Sequence, residues 1–333
     1  MDAMGLLFYL VAFLILGGIY AILCLALNVQ WGFGGLFNAG IAGFFAVGAY
    51  TSALLTAAPV DTHAGGFELP VPVGILASAV TSGITGWAVA KICIRLKSDY
   101  LAMASIGIAE ILRMVIVNED WLTNGSLGIT NIPRPFERLI PLLPSPFDTF
   151  FQGRNTDILF LIVVWAIVAV IYLVCNRLYD SPWGRTLRAV RDNEDAARAV
   201  GKDVDAFRLQ TFVIGAALMG VAGALSAHYF RFLSPEATEP LLITFLVWVM
   251  LMAGGSGNNK GAIVGALSVW AIWSMTEIFA NRLPAELATR SSYIRMLLIG
   301  LLLQFVLQKY RSGLLPERSP GIIFDKEDNK TDG

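Results

Sequence analysis

Charge is the scarcest ingredient of this chain. Only 15% of its 333 residues are Asp, Glu, Lys or Arg, against about 25% in an ordinary soluble domain. With 56% of residues hydrophobic, the deficit excludes a water-soluble globular enzyme and points to a polytopic membrane protein. Histidine is reduced to two residues, His63 and His228. Neither stands beside a nucleophile or a ligand pattern, so both read as structural and no catalytic set is present. The three cysteines, Cys24, Cys93 and Cys175, lie in or at the edge of apolar runs at unrelated spacings. That excludes a disulfide framework and a zinc pattern, and neither a metal nor another cofactor is expected. The opening MDAMGLLFYL lacks the basic region of a cleaved leader, so its apolar run is expected to remain as a span. The glycine-rich GGSGNNKGA at 254–262 has no Ser or Thr after Lys260 and no strand before it. It is therefore no phosphate loop and reads as a tight turn between spans. Basic residues are not interleaved with aromatics, which excludes nucleic acid as a partner.

What the chain has instead is long apolar runs. A helix needs about 20 apolar residues to cross the hydrocarbon core. Nine stretches approach that length: roughly 4–28, 37–57, 71–92, 100–118, 157–176, 209–230, 240–254, 261–280 and 293–309. The seventh is short and flanked by glycines, which suits a broken or re-entrant helix. The expected fold is all-α, a helical bundle of about nine transmembrane spans. Threading from an outside N-terminus puts 16 of the 24 basic residues on the inside. These are Lys91, Arg95, Lys97, Arg177, Arg185, Arg188, Arg191, Arg198, Lys202, Arg208, Lys260, Lys309, Arg311, Arg318, Lys326 and Lys330. Arg134, Arg138, Arg154, Arg231, Arg282 and Arg290 fall outside, while Arg113 and Arg295 lie within spans. The asymmetry favours N-terminus out and C-terminus in.

Ser181–Arg208 is the one charged island, SPWGRTLRAVRDNEDAARAVGKDVDAFR. Unpaired charge cannot lie in lipid, and the basic excess places the island in the cytoplasm. Pro182 suits a helix start, and Leu187, Val190, Ala197 and Val200 recur at near-helical spacing. The expectation is one short amphipathic helix between Gly184 and Gly201. Its apolar stripe needs a cover, either a soluble subunit or the headgroup layer.

Elsewhere, Glu110 and Arg113 sit at i, i+3 inside the fourth span and are neighbours on one face. They read either as functional intramembrane charge or as a buried pair fixing a helix interface. Gly32, Gly34 and Gly35 are expected to form the turn after the first span. The second span carries small residues, with Ala39/Gly43 and Ala42/Ala46 four apart, and the sixth repeats the device with Ala216, Gly220 and Ala224. Such spacing permits close helix packing or a pore-lining or subunit face. Asn38 and Thr51, short polar residues in the second span, are candidate lining positions. The loop 118–157 holds Pro133, Pro135, Pro141, Pro144 and Pro146, so it is irregular and rigid. It reads as an external cap or as a surface that meets a delivery protein. Residues 1–316 form the transmembrane domain, and 317–333 a polar, mobile cytoplasmic tail.

Several of these blocks resemble a known family. GRTLRAVRDNEDAARAVG followed by AFRLQTFVIGAALMGVAGALSAHYFRFLSPE is similar to the cytoplasmic loop and following span of branched-chain amino acid ABC transporter permeases of the LivM-like kind. RLKSDYLAMASIGIAEILRMVI, GGLFNAGIAGFFAVGAYTSALL and LIGLLLQFVLQKYRSGLLPE resemble further segments in the same order, from about Leu25 to Pro316. The turn GGSGNNKGA departs from the family's GGLGSLWGP. The resemblance implies an inner-membrane subunit of an ATP-driven importer, with no enzymatic activity of its own. It implies a paralogous, LivH-like permease partner, two cytoplasmic ABC ATPase subunits and a periplasmic solute-binding protein. It also implies an ATPase-coupling loop carried by Arg188, Arg191, Glu194, Ala196, Ala197 and Gly201, and a translocation path for which Asn38, Thr51, Glu110 and Arg113 are candidates. Related solutes are urea, short amides and other amino acids. An ion-coupled secondary transporter is the alternative class, with Glu110 as its one candidate carboxylate.

Overall fold

A computed structural model describes residues 3–60, 63–96, 98–135, 137, 156–238, 240–280, 297, 300–301, 304, 308–309 and 313–317. Among these the chain is helical, with one isolated antiparallel bridge between Ile129 and Leu233. The helices are α1 (Ala3–Leu27), α2 (Ile41–Thr56), α3 (Val71–Cys93), α4 (Ser98–Asn118), α5 (Asp120–Thr123), α6 (Thr156–Asp180), α7 (Pro182–Asp192), α8 (Glu194–Ala199), α9 (Val204–Phe230), α10 (Pro240–Gly254) and α11 (Asn259–Ala280). Eight of the nine apolar stretches fall on helices, and five helices are long and apolar enough to cross a membrane. The ninth stretch, 293–309, lies largely outside the described residues, as do 138–155 of the proline loop and 318–333 of the tail.

α1 carries no charge between Ala3 and Leu27, so none of its faces suits water; its first turns are exposed and apolar, and from Ala21 to Leu27 every residue is buried. Trp165 of α6 donates to Leu14 O at 3.1 Å, and Trp270 of α11 donates to Phe13 O at 3.1 Å. Burying an indole N–H requires such a partner, and here two tryptophans clamp α1 from opposite neighbours. α2, α3 and α9 form a second layer with closer approach. A Cβ on Gly48 would overlap the backbone of Gly220, and one on Gly223 would overlap that of Phe45. The small residues of α2 and α9 therefore serve helix packing in this chain.

The first helix does not stop at Leu27. It continues as a π-helix over Asn28–Phe33, giving an unbroken run of 30 residues. At 1.5 Å per residue this is roughly 45 Å, longer than the hydrocarbon core of about 30 Å. Gly32 belongs to this extension, so the expected glycine turn shrinks to Gly34 and Gly35, the latter at φ +65°. The widening lets buried Asn28 and Gln30 aim their amides at neighbouring segments. α2 and α10 are short by the same measure, at 16 and 15 residues. The residues Gly34–Gly40 and a 3-10 turn at Pro235–Thr238 lead into them.

Candidate functional site

The island folds as two helices, not one. Ser181 starts α7, its hydroxyl accepting from Gly184 N at 3.2 Å while Pro182 takes the first helical position, where a missing N–H costs nothing. Gly184 thus lies inside the first turn and does not bracket the helix. At Asn193 the backbone turns extended (φ −155°, ψ 101°), and the Asn193 side chain accepts from Ala196 N at 3.0 Å. This residue closes α7 and caps α8, with Glu194 and Asp195 in the new first turn, where acidic side chains favour a helix start. Leu187 is fully buried and Val190 nearly so. Val190, Ala197 and Val204 make a small apolar cluster beneath the break. Val200, expected on the same stripe, is 74% exposed because α8 ends at Ala199 and Gly201 adopts φ +75°.

Both helices lean on α9, α7 through Trp183, which donates to Gln210 at 2.8 Å and lies beside Phe207, but their charged anchors lead to different places. Arg188 of α7 lays its guanidinium 3.8 Å from the centre of the Tyr179 ring and donates to Tyr179 O. Arg191 donates to Gly32 O at the π-helical end of α1, to both Glu317 carboxylate oxygens at 3.1–3.2 Å, and to Asp192. Burial works against the Arg191 charge, but the Glu317 and Asp192 carboxylates outweigh it and hold the guanidinium above its usual value. From α8, Glu194 accepts from Arg198 at 2.8 Å and from Arg208 of α9 at 3.3 Å. Arg208 also donates to Leu96 O, in the α3–α4 connection, and Arg198 reaches Asp205.

Beneath α7 lies a polar network that the sequence reading missed. Asn28 donates to Asn259 and accepts from Gly257 N, and Asn259 donates to Asn176. Gln30 donates to Phe212 O and accepts from Asn38, while Asn38 accepts from Gly40 N. Buried amides persist only when their groups are satisfied, and here each joins two segments. Asn38, a candidate lining residue, has its amide committed inside the bundle.

The sequence profile of the branched-chain amino acid transport system permease component family matches residues 9–307. The chain belongs to that family. The high-affinity branched-chain amino acid transport permease protein LivM of Salmonella typhimurium is 34% identical over 313 residues, 91% of this chain and 69% of its own. The probable LivM of Methanocaldococcus jannaschii is 28% identical over 328 residues, covering 90% of this chain and 91% of the relative. The LivH permease of Salmonella typhimurium is 22% identical over 292 residues, 85% of this chain and 90% of its own. No solved structure matches. Family and apolar helices together make this permease a multi-pass membrane protein.

The other candidate residues of the permease lie along α2 and α4. Glu110 and Arg113 do pair, with Arg113 Nη2 2.6 Å from Glu110 Oε1 and Nε at 3.0–3.1 Å from both carboxylate oxygens. Their side chains keep 36% and 34% exposure, on a face shared with exposed Met103, Ile106, Ile111 and Met114. That face is not covered by the other described helices. Thr51 donates to Val47 O and meets Thr81 of α3 at 3.0 Å. Two buried hydroxyls, Tyr50 on α2 and Thr244 on α10, have no partner among the described residues.

At the end remote from the island, His228 is fully buried. Its Nδ1 lies 2.6 Å from Pro133 O and its Nε2 2.8 Å from Ser52 Oγ. A carbonyl can only accept, so Nδ1 carries the proton and Nε2 accepts from Ser52. The pair has the connectivity of a nucleophile and its base, but both groups are sealed inside the bundle. Its role is to fasten the loop after α4 onto α9, helped by the Ile129–Leu233 bridge. The recess nearby, about 650 Å³, is lined by Leu69–Pro72, Ile75, Leu76, Pro133–Pro135, Val163 and Ile167. Arg134, its one charged lining residue, is paired with Asp157.

Proposed function

We propose that this permease is the membrane subunit of an ATP-driven importer for branched-chain amino acids, coupled to its ATPases through residues 181–208. In this reading the island faces the cytoplasm, the N-terminus lies outside and nine spans cross an inner membrane. A second, LivH-like permease completes the path, and a solute-binding protein delivers at the other side. The supporting observation is the exposed surface of α8. Asp195, Ala196, Ala199 and Val200 all point away from the bundle, while Ala197 anchors the helix from beneath. A short, capped helix with an exposed apolar tip on an otherwise polar island is suited to a pocket on a soluble partner. Energy enters because the ATPases bind the two permease states with different affinity.

The Glu110–Arg113 face supports a paired assembly. A charged pair one-third exposed in mid-helix is costly against lipid, so a second permease or a water-filled path has to cover it. The test uses vesicles holding both permeases and the ATPases, with binding protein outside and labelled leucine. Ala196→Glu with Val200→Glu is expected to abolish ATP-dependent uptake and ATPase co-purification while leaving the melting temperature unchanged. Uptake that follows an ion gradient without ATPases would overturn the reading. ATP hydrolysis stimulated by another solute, with no leucine uptake, would overturn the substrate assignment and keep the mechanism.

A further inference from the structure

Glu317 is the first residue of the stretch read from sequence as a free tail, yet it is held at a junction of four segments. The bend before it docks on the end of α10, with Leu314 N donating to Ala253 O and Leu315 N to Gly254 O, both at 2.9 Å. Asn258 donates to Pro316 O at 3.0 Å. The Glu317 carboxylate accepts from Arg191 through both oxygens and lies 3.5 Å from the Tyr179 hydroxyl. It sits against Gly257, where φ is +85° and a Cβ would come within 2.7 Å of the carboxylate carbon. That gives the divergent turn GGSGNNKGA a physical role, since its glycine leaves room for the acid. The Gly257 N–H in turn donates to Asn28. Gly254 is packed so closely on Gly261 and Gly265 that α10 and α11 have no slack between them.

We infer that Glu317 is a positioning residue that fixes Arg191 on Gly32 and so makes α7 move as one piece with α1 and the α10–α11 hairpin. The inference rests on the coupling role proposed above for the mechanical consequence, but the clamp itself exists without ATPases. α8 is anchored differently, although Val190, Ala197 and Val204 pack it with α7 against α9. Its ion pairs lead to α9 and the α3–α4 connection, and Asn193 separates the two helices. A push on the island thus reaches α9 through both helices, and reaches α1 and the α10–α11 hairpin through the Arg191–Glu317 clamp on α7.

The experiment measures spin-label distances in the full-length permease carrying Ala189→Cys on α7 and Lys260→Cys at the start of α11. Both positions are exposed, and the three native cysteines are buried. In the permease alone the wild-type pair is expected to give a single narrow distance. Glu317→Gln is expected to broaden it at least twofold, and Glu317→Asp to restore it. In the complete complex the same narrow distance is expected with and without ATP. Glu317→Gln is then expected to raise the ATP hydrolysed per leucine transported several-fold with ATPase binding intact. A narrow distance in Glu317→Gln, or a wild-type distance that shifts with ATP, overturns the inference. Should Glu317→Gln fail to accumulate, Arg191→Gln carries the same distance test, with the same broadening expected. If no complex with ATPases forms, the coupling reading fails while the distances in the permease alone still decide the clamp.

Discussion

α7 and α8 are adjacent and separated by a single residue, yet they carry opposite net charge and are held by different physics. α7 rests on fully buried Leu187 and on Arg191, whose side chain is only 24% exposed and whose Nε and Nη1 both have acceptors. α8 is six residues long, is held from below by Ala197, and otherwise depends on Glu194, 41% exposed, with its partners Arg198, 51% exposed, and Arg208 of α9, 12% exposed. Desolvated contacts keep their strength, whereas exposed ion pairs are screened. The first helix is thus rigidly joined to the bundle and the second is loosely sprung, with Asn193 between them. The difference teaches that a coupling element need not be uniformly stiff. One part transmits force while the other adapts to the partner.

The largest effect is expected from removing the α7 anchor. Leu187→Ala deletes a fully buried side chain, and such truncations cost about 2–5 kcal/mol. Val200→Ala alters a residue 74% exposed and is expected to stay within about 0.5 kcal/mol of wild type. Thermal unfolding of the purified permease in detergent checks both. Equal losses would mean that α8 is as firmly seated as α7, and the contrast would fall.

Next in size is the break itself. Asn193→Ala removes the side chain that accepts from Ala196 N, and loss of an N-cap costs about 1 kcal/mol. Because α8 has so few other supports, the loss is expected to fall on it alone. Hydrogen exchange is expected to speed up at Ala196–Val200 and stay unchanged at Leu187–Arg191. Faster exchange across both helices would show that they form one cooperative unit.

What the sequence could and could not say follows from the range of each interaction. Local patterns were readable. The charge gap marked the island, Pro182 marked its start, the apolar spacing found Leu187, Val190 and Ala197, and i, i+3 spacing paired Glu110 with Arg113. The break at Asn193 had a local signal too, an Asn followed by two acids. Continuous helical periodicity on both sides concealed it. Glu317 had none, because its partner Arg191 is 126 positions away, and the Asn28–Asn259 bond spans 231. Isolated amides in apolar runs look like lining residues until their partners are known. Asn38 drew attention for that reason, whereas Asn28 and Gln30 fell at the end of the first run and Asn259 in the 254–262 turn, where polar residues are ordinary.

The smallest expected effect is also the one that most sharpens the contrast. Arg198 bridges Glu194 and Asp205 from an exposed position, so Arg198→Met is expected to leave the unfolding midpoint unchanged. Its consequence is local and depends on ionic strength. In wild type, exchange at α8 is expected to rise as salt screens the exposed Arg198 pairs with Glu194 and Asp205. In Arg198→Met, exchange at α8 is expected to start higher and respond less to salt. α7 should show no salt response in either protein, since the Arg191–Glu317 contact is shielded. A salt response of equal size in both helices would place Arg191 among the screened surface pairs. The stiff link from α7 to α1 would then have to rest on Leu187 alone.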